Sequence, residues 1–168
     1  MTVINAQPFS TSRLDALPLR VEQAEEMAVV LGDPVLHEFI GGAPHSPEAL
    51  RARYERLVAG SPDPAVSWCN WVLRVREGGA LVGTVQATVV VGGAEIAWVV
   101  GSGWQGRGFA SEAAVGLVEW LERQGVRSVV AHVHPDHHAS AAVARAAGLT
   151  ATAEFQDGEV RWHREPPA

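Results

Sequence analysis

The sequence contains, at residues 101–110, the stretch Gly-Ser-Gly-Trp-Gln-Gly-Arg-Gly-Phe-Ala, in which four of the first eight residues are glycine. Residues 95–100 before it alternate in polarity like a strand, and residues 109–124 after it follow a helical pattern. Glycines between a strand and a helix let backbone N–H groups turn towards an anion, and the helix N-terminus adds a partial positive charge. We therefore predict a phosphate-binding loop, because a plain strand-to-helix turn needs fewer glycines.

The residues upstream of this loop predict an antiparallel meander. Apolar and polar residues alternate with a period of two in three segments that glycine-containing turns separate, namely 68–76, 81–91 and 95–100. Downstream of the helix after the loop, the pattern predicts a strand, a helix rich in small residues and a last hairpin around Asp157-Gly158, over residues 126–134, 139–147, 151–155 and 160–163.

The N-terminal third predicts two helices and a short strand. We expect the strand at residues 17–21 and the first helix at residues 22–31. Ser46 as N-cap and Pro47 in the first turn open a second helix that ends near Ala59. The fold class is therefore α/β, with a mixed, largely antiparallel sheet flanked by helices. We predict one domain over residues 1–168, with its core between about residues 9 and 163.

Composition excludes several classes of function. The chain has 168 residues and a formal charge of −6, and its arginines are dispersed apart from Arg51, Arg53 and Arg56, which we expect on a solvated helix face. This distribution argues against a nucleic-acid partner. It contains no lysine, so Schiff-base chemistry, Ser–Lys dyads and Walker-type phosphate loops are excluded. A single cysteine, Cys69, allows no internal disulfide, and its place on an apolar strand face predicts an ordinary core thiol. No stretch has the length of a signal peptide or membrane helix, so we expect a cytoplasmic protein without a membrane partner.

The glycine loop also fits the G-x-G-x-x-G fingerprint of dinucleotide-binding proteins, through Gly101, Gly103 and Gly106. The context argues against that interpretation, because the preceding strand belongs to an antiparallel meander and does not open a parallel βαβ unit. The acidic residue expected about 20 residues after the glycines is also missing. Asp136 lies too far along the chain to replace it.

The same loop resembles the Q/R-x-x-G-x-G/A signature of the GNAT acetyltransferase superfamily, and the resemblance extends over about residues 9–163. The branch it resembles includes the ribosomal-protein N-terminal acetyltransferases. The segments that carry the resemblance are Thr11-Ser-Arg-Leu14, Trp104-Gln-Gly-Arg-Gly-Phe-Ala-Ser-Glu-Ala114, His137-His-Ala-Ser140 and Ala147-Gly-Leu149.

This resemblance implies acetyl-CoA as co-substrate, without a metal, and a sheet in which the strands on either side of the helix splay apart. The pantetheine arm would lie between these strands, beside Val99 and Val100. The CoA pyrophosphate would lie on the backbone amides of the loop, which is formed by Gln105, Gly106, Arg107, Gly108, Phe109 and Ala110.

Acetyl transfer to an amine requires a proton acceptor, stabilisation of an oxyanion and protonation of the leaving thiolate. Glu95 is the candidate base, because several superfamily members carry a catalytic glutamate on the strand that enters the loop. Alternation places Glu95 on the same face as Ala97 and Val99, and a purely structural carboxylate stays open as the alternative. We expect Glu112, in the first turn of the next helix, to favour the helix dipole.

The chain departs from the family pattern around the CoA sulfur. Many members use a tyrosine as acid there, but the only tyrosine in this sequence is Tyr54, in an early helix. The N-x-x-S stretch of the family corresponds to His137-x-x-Ser140, which places His137 at the cofactor and the Ser140 hydroxyl near the sulfur. The alternative is that Ser140 caps or packs the helix that starts there.

A histidine cluster, His132-Val-His-Pro-Asp-His-His138, matches the H-x-H-x-D-H metal signature of metallo-β-lactamases. That fold needs further ligands downstream, and only His163 follows in this chain.

Three hypotheses therefore stand: an N-acetyltransferase, a metal-dependent hydrolase built on His132–His138, and a non-catalytic acyl-CoA-binding domain. The acceptor is a peptide N-terminus or a small-molecule amine, and the acidic balance favours a cationic one. The oligomeric state, a homodimer included, stays open.

Overall fold

The computed structural model describes residues 3–39 and 41–165, and a single eight-stranded sheet forms its centre. The strands are Phe9–Ser10 (β1), Leu14–Pro18 (β2), Ser67–Val75 (β3), Leu81–Val90 (β4), Gly93–Val100 (β5), Val129–Val133 (β6), Thr150–Gln156 (β7) and Glu159–Arg164 (β8). The helices are Ala24–Val30 (α1), Pro47–Ala59 (α2), Phe109–Arg123 (α3) and His138–Ala146 (α4). Across the sheet the order is β1-β2-β3-β4-β5-β6-β8-β7.

The sheet opens in its middle, between β5 and β6. These two strands pair in parallel, whereas the other neighbouring strands pair antiparallel. The paired residues are Ala94 with Val129 and Glu95 with Val130, at the start of both strands. Strand β5 then continues to Val100 alongside β4, while β6 pairs with β8. The predicted mixed α/β sheet with a splayed strand pair is therefore confirmed.

Helices cover both faces of the sheet. Helices α3 and α4 pack on one face through a core in which Trp71 of β3 meets Trp120 of α3 edge-to-face, with ring centres 4.9 Å apart. Helices α1 and α2 pack on the other face in a smaller core that includes Met27, Leu50 and Val72. Within the ranges that the structure describes, none of these helices is long and apolar enough to cross a membrane.

The largest error of the sequence analysis lies at the N-terminal edge of the sheet. The strand predicted at 17–21 instead spans Leu14–Pro18, where Leu14 and Ala16 are buried against β3. The two-residue strand β1 was not predicted, because it is too short to show alternation. The first helix begins at Ala24 after a short 3-10 turn, and the last hairpin turns at Asp157 and Gly158 as predicted, both with positive φ.

Glu112 connects the start of α3 to the N-terminal segment of the chain. Its carboxylate accepts hydrogen bonds from the Thr11 hydroxyl, from the backbone N–H of Arg13 and from Arg13 Nε, the last two at 2.8 Å. The Arg13 guanidinium also lies 4.4 Å from the centre of the Phe109 ring. Burial by itself raises the pKa of Glu112, but the hydrogen bonds from Thr11 and Arg13 outweigh it and hold this pKa below its ordinary value. Glu112 therefore anchors the start of α3 to the N-terminal segment, in addition to its favourable interaction with the helix dipole.

We expect Glu112→Gln to lower the free energy of unfolding at pH 7 by about 1–3 kcal/mol, because it weakens three charge-assisted hydrogen bonds. A carboxyl group whose pKa is lower in the folded state stabilises the fold above its unfolded pKa, and this stabilisation is lost as pH falls through the folded pKa. The difference from wild type should therefore shrink below about pH 4.3, which denaturant unfolding at a series of pH values measures.

Glu119→Gln, on the exposed side of the same helix, is the matched control and should change stability little. An equal effect of the two substitutions, or a Glu112→Gln effect that does not depend on pH, would contradict the assignment of Glu112 as an anchor.

Candidate active site

A cavity of about 520 Å³ lies where β5 and β6 diverge. Strand β5 contributes Ile96 to Val100 to its wall, and the glycine loop, the end of β6 and the start of α4 complete it. Phe39, in the segment after α1, closes it from the side. Nine predicted site residues line this cavity: Val99, Val100, Gln105, Gly106, Gly108, Phe109, Ala110, His137 and Ser140. Two others, Glu95 and Arg107, do not line it.

The glycine loop forms one end of this cavity, and two of its residues have a backbone conformation that only glycine adopts readily. Gly106 and Gly108 have φ of 80° and 81°, in the left-handed region. Gly108 is the N-cap of α3 and brings no side-chain cap, so the first N–H groups of the helix are left for another acceptor. Gln105 Nε2 donates to the Val100 carbonyl at 3.0 Å and so fixes the loop to the end of β5. Arg107 instead places its guanidinium 5.1 Å from the centre of the Trp104 ring.

Glu95 and His132 form a pair across the parallel register of β5 and β6. His132 Nδ1 lies 2.7 Å from Glu95 Oε1, and the Glu95 side chain is 53% exposed whereas that of His132 is 8% exposed. Nε2 of His132 is buried and has no partner among the residues that the structure describes. An unpaired N–H in that position would cost more than an unpaired lone pair, so the proton belongs on Nδ1. His132 therefore donates to the Glu95 carboxylate.

Two other histidines of the cluster, His134 and His137, have separate structural roles. His134 Nδ1 accepts from the backbone N–H of Asp136, and His137 Nδ1 accepts from that of Ser140 at 3.3 Å, which makes His137 the N-cap of α4. Burial, and next to it the charge of His134, lowers the pKa of His137, which suits an unprotonated acceptor. Phe39 stacks on His137 at 4.5 Å. In residues 3–39 and 41–165, no group of three or more His, Cys, Asp or Glu side chains could hold a metal ion.

Ser140 lies in the cavity wall with its hydroxyl partly engaged. Its Oγ accepts a hydrogen bond from the indole N–H of Trp98 at 3.2 Å, which leaves its own O–H free to donate. Because His137 supplies the cap of α4, the interpretation of Ser140 as a capping residue is wrong.

Cys69 is fully buried in the core, as expected, and burial raises the pKa of its thiol to about 11.

A second cavity, of about 580 Å³, lies on the face of the sheet that α1 and α2 cover. Tyr54, the only tyrosine, contributes to its wall from α2. The two cavities share Ala97, Trp98 and Val99 of β5, so they meet at the strand beside the splay. The sequence analysis did not foresee this second cavity, since its wall combines segments that are far apart along the chain.

Comparisons with known proteins agree on the family. Residues 13–150 match the family described as an acetyltransferase (GNAT) domain. No curated protein sequence matches the chain. An acetyltransferase from Agrobacterium tumefaciens is 23% identical, with 98% of both chains covered and a TM-score of 0.75.

Two further solved structures are acetyltransferases of ribosomal proteins. The ribosomal-protein-S5-alanine acetyltransferase from Vibrio fischeri is 16% identical, with 95% of this chain and 96% of that chain covered and a TM-score of 0.74. The ribosomal L7/L12 alpha-N-protein acetyltransferase RimL, solved in complex with coenzyme A, is 17% identical, with 95% and 98% covered and a TM-score of 0.76. These structures share the fold, and the family match covers most of the sequence. The chain therefore belongs to the GNAT acetyltransferase family.

Proposed function

We propose that this acetyltransferase moves the acetyl group of acetyl-CoA to the nitrogen of a primary amine by direct attack in a ternary complex. The observation that carries this proposal is the cavity between β5 and β6, which ends at uncapped N–H groups of the glycine loop and α3. RimL, a relative of the same fold, was solved with coenzyme A. A cytoplasmic location and independence from metal stay predictions from the sequence.

We assign the CoA pyrophosphate to the loop from Gln105 to Ala110, where left-handed glycines and a helix N-terminus favour an anion. Arg107 contributes its backbone N–H and a nearby positive charge. The pantetheine arm runs along Val99 and Val100, and the acetyl group ends near Ser140 and His137, which lie on the opposite wall.

Acetyl-CoA should stabilise the protein against thermal unfolding, by about 2.7 kcal/mol at 100 times its dissociation constant, whereas NAD should not. Gly106→Val and Gly108→Val should abolish this gain, because a β-branched residue resists positive φ and would cover the N–H groups. Differential scanning fluorimetry with each ligand measures the shift.

Gly103→Ala is the matched control, because Gly103 has no positive φ and no atom of the described residues lies within 4 Å of the added methyl group. It should keep the shift. Stabilisation by NAD without stabilisation by acetyl-CoA or CoA would exclude the proposed function.

Glu95 is the base in this proposal, and His132 is the residue that positions it. The Glu95 carboxylate is half-exposed on the face of β5 that also carries Ala97 and Val99. It lines neither cavity, but its partner His132 lines the first one, so in this proposal Glu95 takes the proton of the acceptor amine through water. The Nδ1–H of His132 occupies one carboxylate oxygen and holds the side chain in one orientation. The other oxygen is left for the proton of the amine.

Glu95→Gln should lower kcat about 10²–10⁴-fold with little change in acetyl-CoA affinity, and the loss should be smaller at high pH, where free amine is abundant. His132→Phe should lower kcat by about tenfold, because Glu95 loses its orientation but keeps its charge. The double variant should be no slower than Glu95→Gln alone, since the two residues act as a unit.

Steady-state kinetics across pH measure these effects, and Glu119→Gln should leave kcat unchanged. A normal kcat for Glu95→Gln at every pH would make Glu95 a structural residue. Additive losses in the double variant would instead show that His132 acts independently of Glu95.

Ser140 replaces the missing tyrosine near the CoA sulfur in this proposal. With its oxygen already accepting from Trp98, its O–H can donate to the sulfur as negative charge develops there. A thiolate, with a thiol pKa of about 8.5, needs only modest help to leave.

Ser140→Ala should therefore lower kcat by about fivefold to fiftyfold and leave acetyl-CoA affinity nearly unchanged, as expected when one hydrogen bond to developing charge is removed. The melting temperature of the same variant should fall only slightly, because the variant loses one hydrogen bond from Trp98 while His137 still caps α4. A destabilised variant with normal turnover would contradict this role.

The two other functions predict different outcomes. A non-catalytic acyl-CoA-binding domain would bind acetyl-CoA without amine-dependent release of thiol. A hydrolase built on His132–His138 would lose its activity on dialysis against EDTA and regain it with zinc, whereas acetyl transfer should survive the dialysis.

A further inference from the structure

The second cavity has the position that an acceptor needs, given the proposed function on which this inference rests. Its floor is the face of the sheet where Asn70, Gln86 and Ala97 stand opposite one another on β3, β4 and β5. Its cover is formed by α1, α2 and residues of the 36–45 segment. Ala97, Trp98 and Val99 border both cavities, so an acceptor in the second lies next to the proposed thioester site in the first.

The charges around this cavity are unusual for an acidic chain. Its wall contains Arg53, His37 and His45, and no Asp or Glu among the residues that the structure describes. Arg53 is exposed and makes no ion pair within the described ranges, whereas Arg51 on the same helix pairs with Glu25 at 2.6 Å. The protein as a whole has a formal charge of −6. The wall therefore carries positive charge without a counter-ion.

Tyr54 adds a hydrogen-bond donor that lacks a partner. The residue is 4% exposed, and among the described residues no atom accepts a hydrogen bond from its buried hydroxyl. Burial raises the pKa of this phenol to about 12, although the positive charge of Arg53 opposes the rise, so the hydroxyl stays a donor. A buried donor without an acceptor is unfavourable, and an acceptor atom of a ligand can remove that penalty.

We propose that the acceptor is a primary amine that also carries an anionic group, a carboxylate or a phosphate, which binds beside Arg53 and Tyr54 while the amine reaches β5. The nitrogen attacks the thioester carbonyl, so an N–C bond forms and the C–S bond breaks. The amine gives up one proton to the Glu95 carboxylate, and one proton passes from Glu95 through solvent to the sulfur. CoA therefore leaves as the thiol and the base is regenerated. The side-chain amides of Asn70 and Gln86 line the path between the two ends.

This proposal differs from the expectation based on net charge. Overall acidity favours a cationic acceptor at long range, but an unpaired guanidinium at the cavity wall repels a polyamine at short range. Salt screens the attraction between an acceptor and distant carboxylates more strongly than it screens a contact of a few ångströms. The charges at the cavity wall therefore determine which ligand groups bind inside.

The test compares acceptors in matched pairs, with CoA release as the signal. The pairs are alanine and alaninamide, phosphoethanolamine and ethanolamine, and short peptides with Asp or Asn as the second residue, with spermidine as the polycation. The anionic member of at least one pair should have a kcat/KM about tenfold higher, and added salt should reduce this preference. The pair that shows it distinguishes a free amino acid, a phosphate compound and a peptide N-terminus.

Arg53→Gln should remove most of this preference by raising KM for the anionic acceptor. Arg53→Glu should reverse it. Arg56→Gln is the matched control, since Arg56 is exposed on the same helix and does not line the cavity. Tyr54→Phe should raise KM for the anionic acceptor without changing acetyl-CoA affinity.

A preference for neutral or polycationic amines, with normal thermal stabilisation by acetyl-CoA, would overturn this inference and leave the proposed function intact. Equal effects of Arg53→Gln and Arg56→Gln would overturn it as well. Absence of stabilisation by acetyl-CoA would overturn the proposed function and this inference with it.

Discussion

The divergence of β5 from β6 is the constraint on which the rest of this structure depends. Two residue pairs at the start of both strands hold them together, and beyond Glu95 each strand follows a different neighbour. Where the two strands separate, backbone N–H and C=O groups on one side of β5 have no partner strand among the described residues. Such groups can pair with the amides of an extended ligand, as a sheet edge pairs with an added strand. The cavity is therefore a gap in the sheet itself.

Hydrogen bonds and one stacking contact hold the walls of this gap in place. Gln105 fixes the glycine loop to β5, and Glu112 fixes the start of α3 to Thr11 and Arg13. On the opposite wall, His137 caps α4 and stacks on Phe39. These contacts order a site made largely of loop and helix ends, which would otherwise be among the more mobile parts of a fold.

Local patterns in the sequence were enough to predict the meander, the glycine loop and the helix after it. Each of these depends on periodicity or on glycine conformations within about 20 residues. The pairing of Glu95 with His132, the anchor at Glu112 and the second cavity could not be predicted, because they depend on strand register and on packing between distant segments. The contacts of the histidine motif also depend on the fold, since His134 and His137 accept hydrogen bonds from different backbone N–H groups.

The most direct test of the central claim is a crystal structure of the protein with CoA bound. We expect pyrophosphate oxygens within hydrogen-bond distance of the backbone N–H groups of the loop from Gln105 to Ala110. We also expect the pantetheine arm between β5 and β6, with the sulfur near the Ser140 hydroxyl. CoA bound elsewhere, with the gap between β5 and β6 empty or closed by strand pairing, would contradict it.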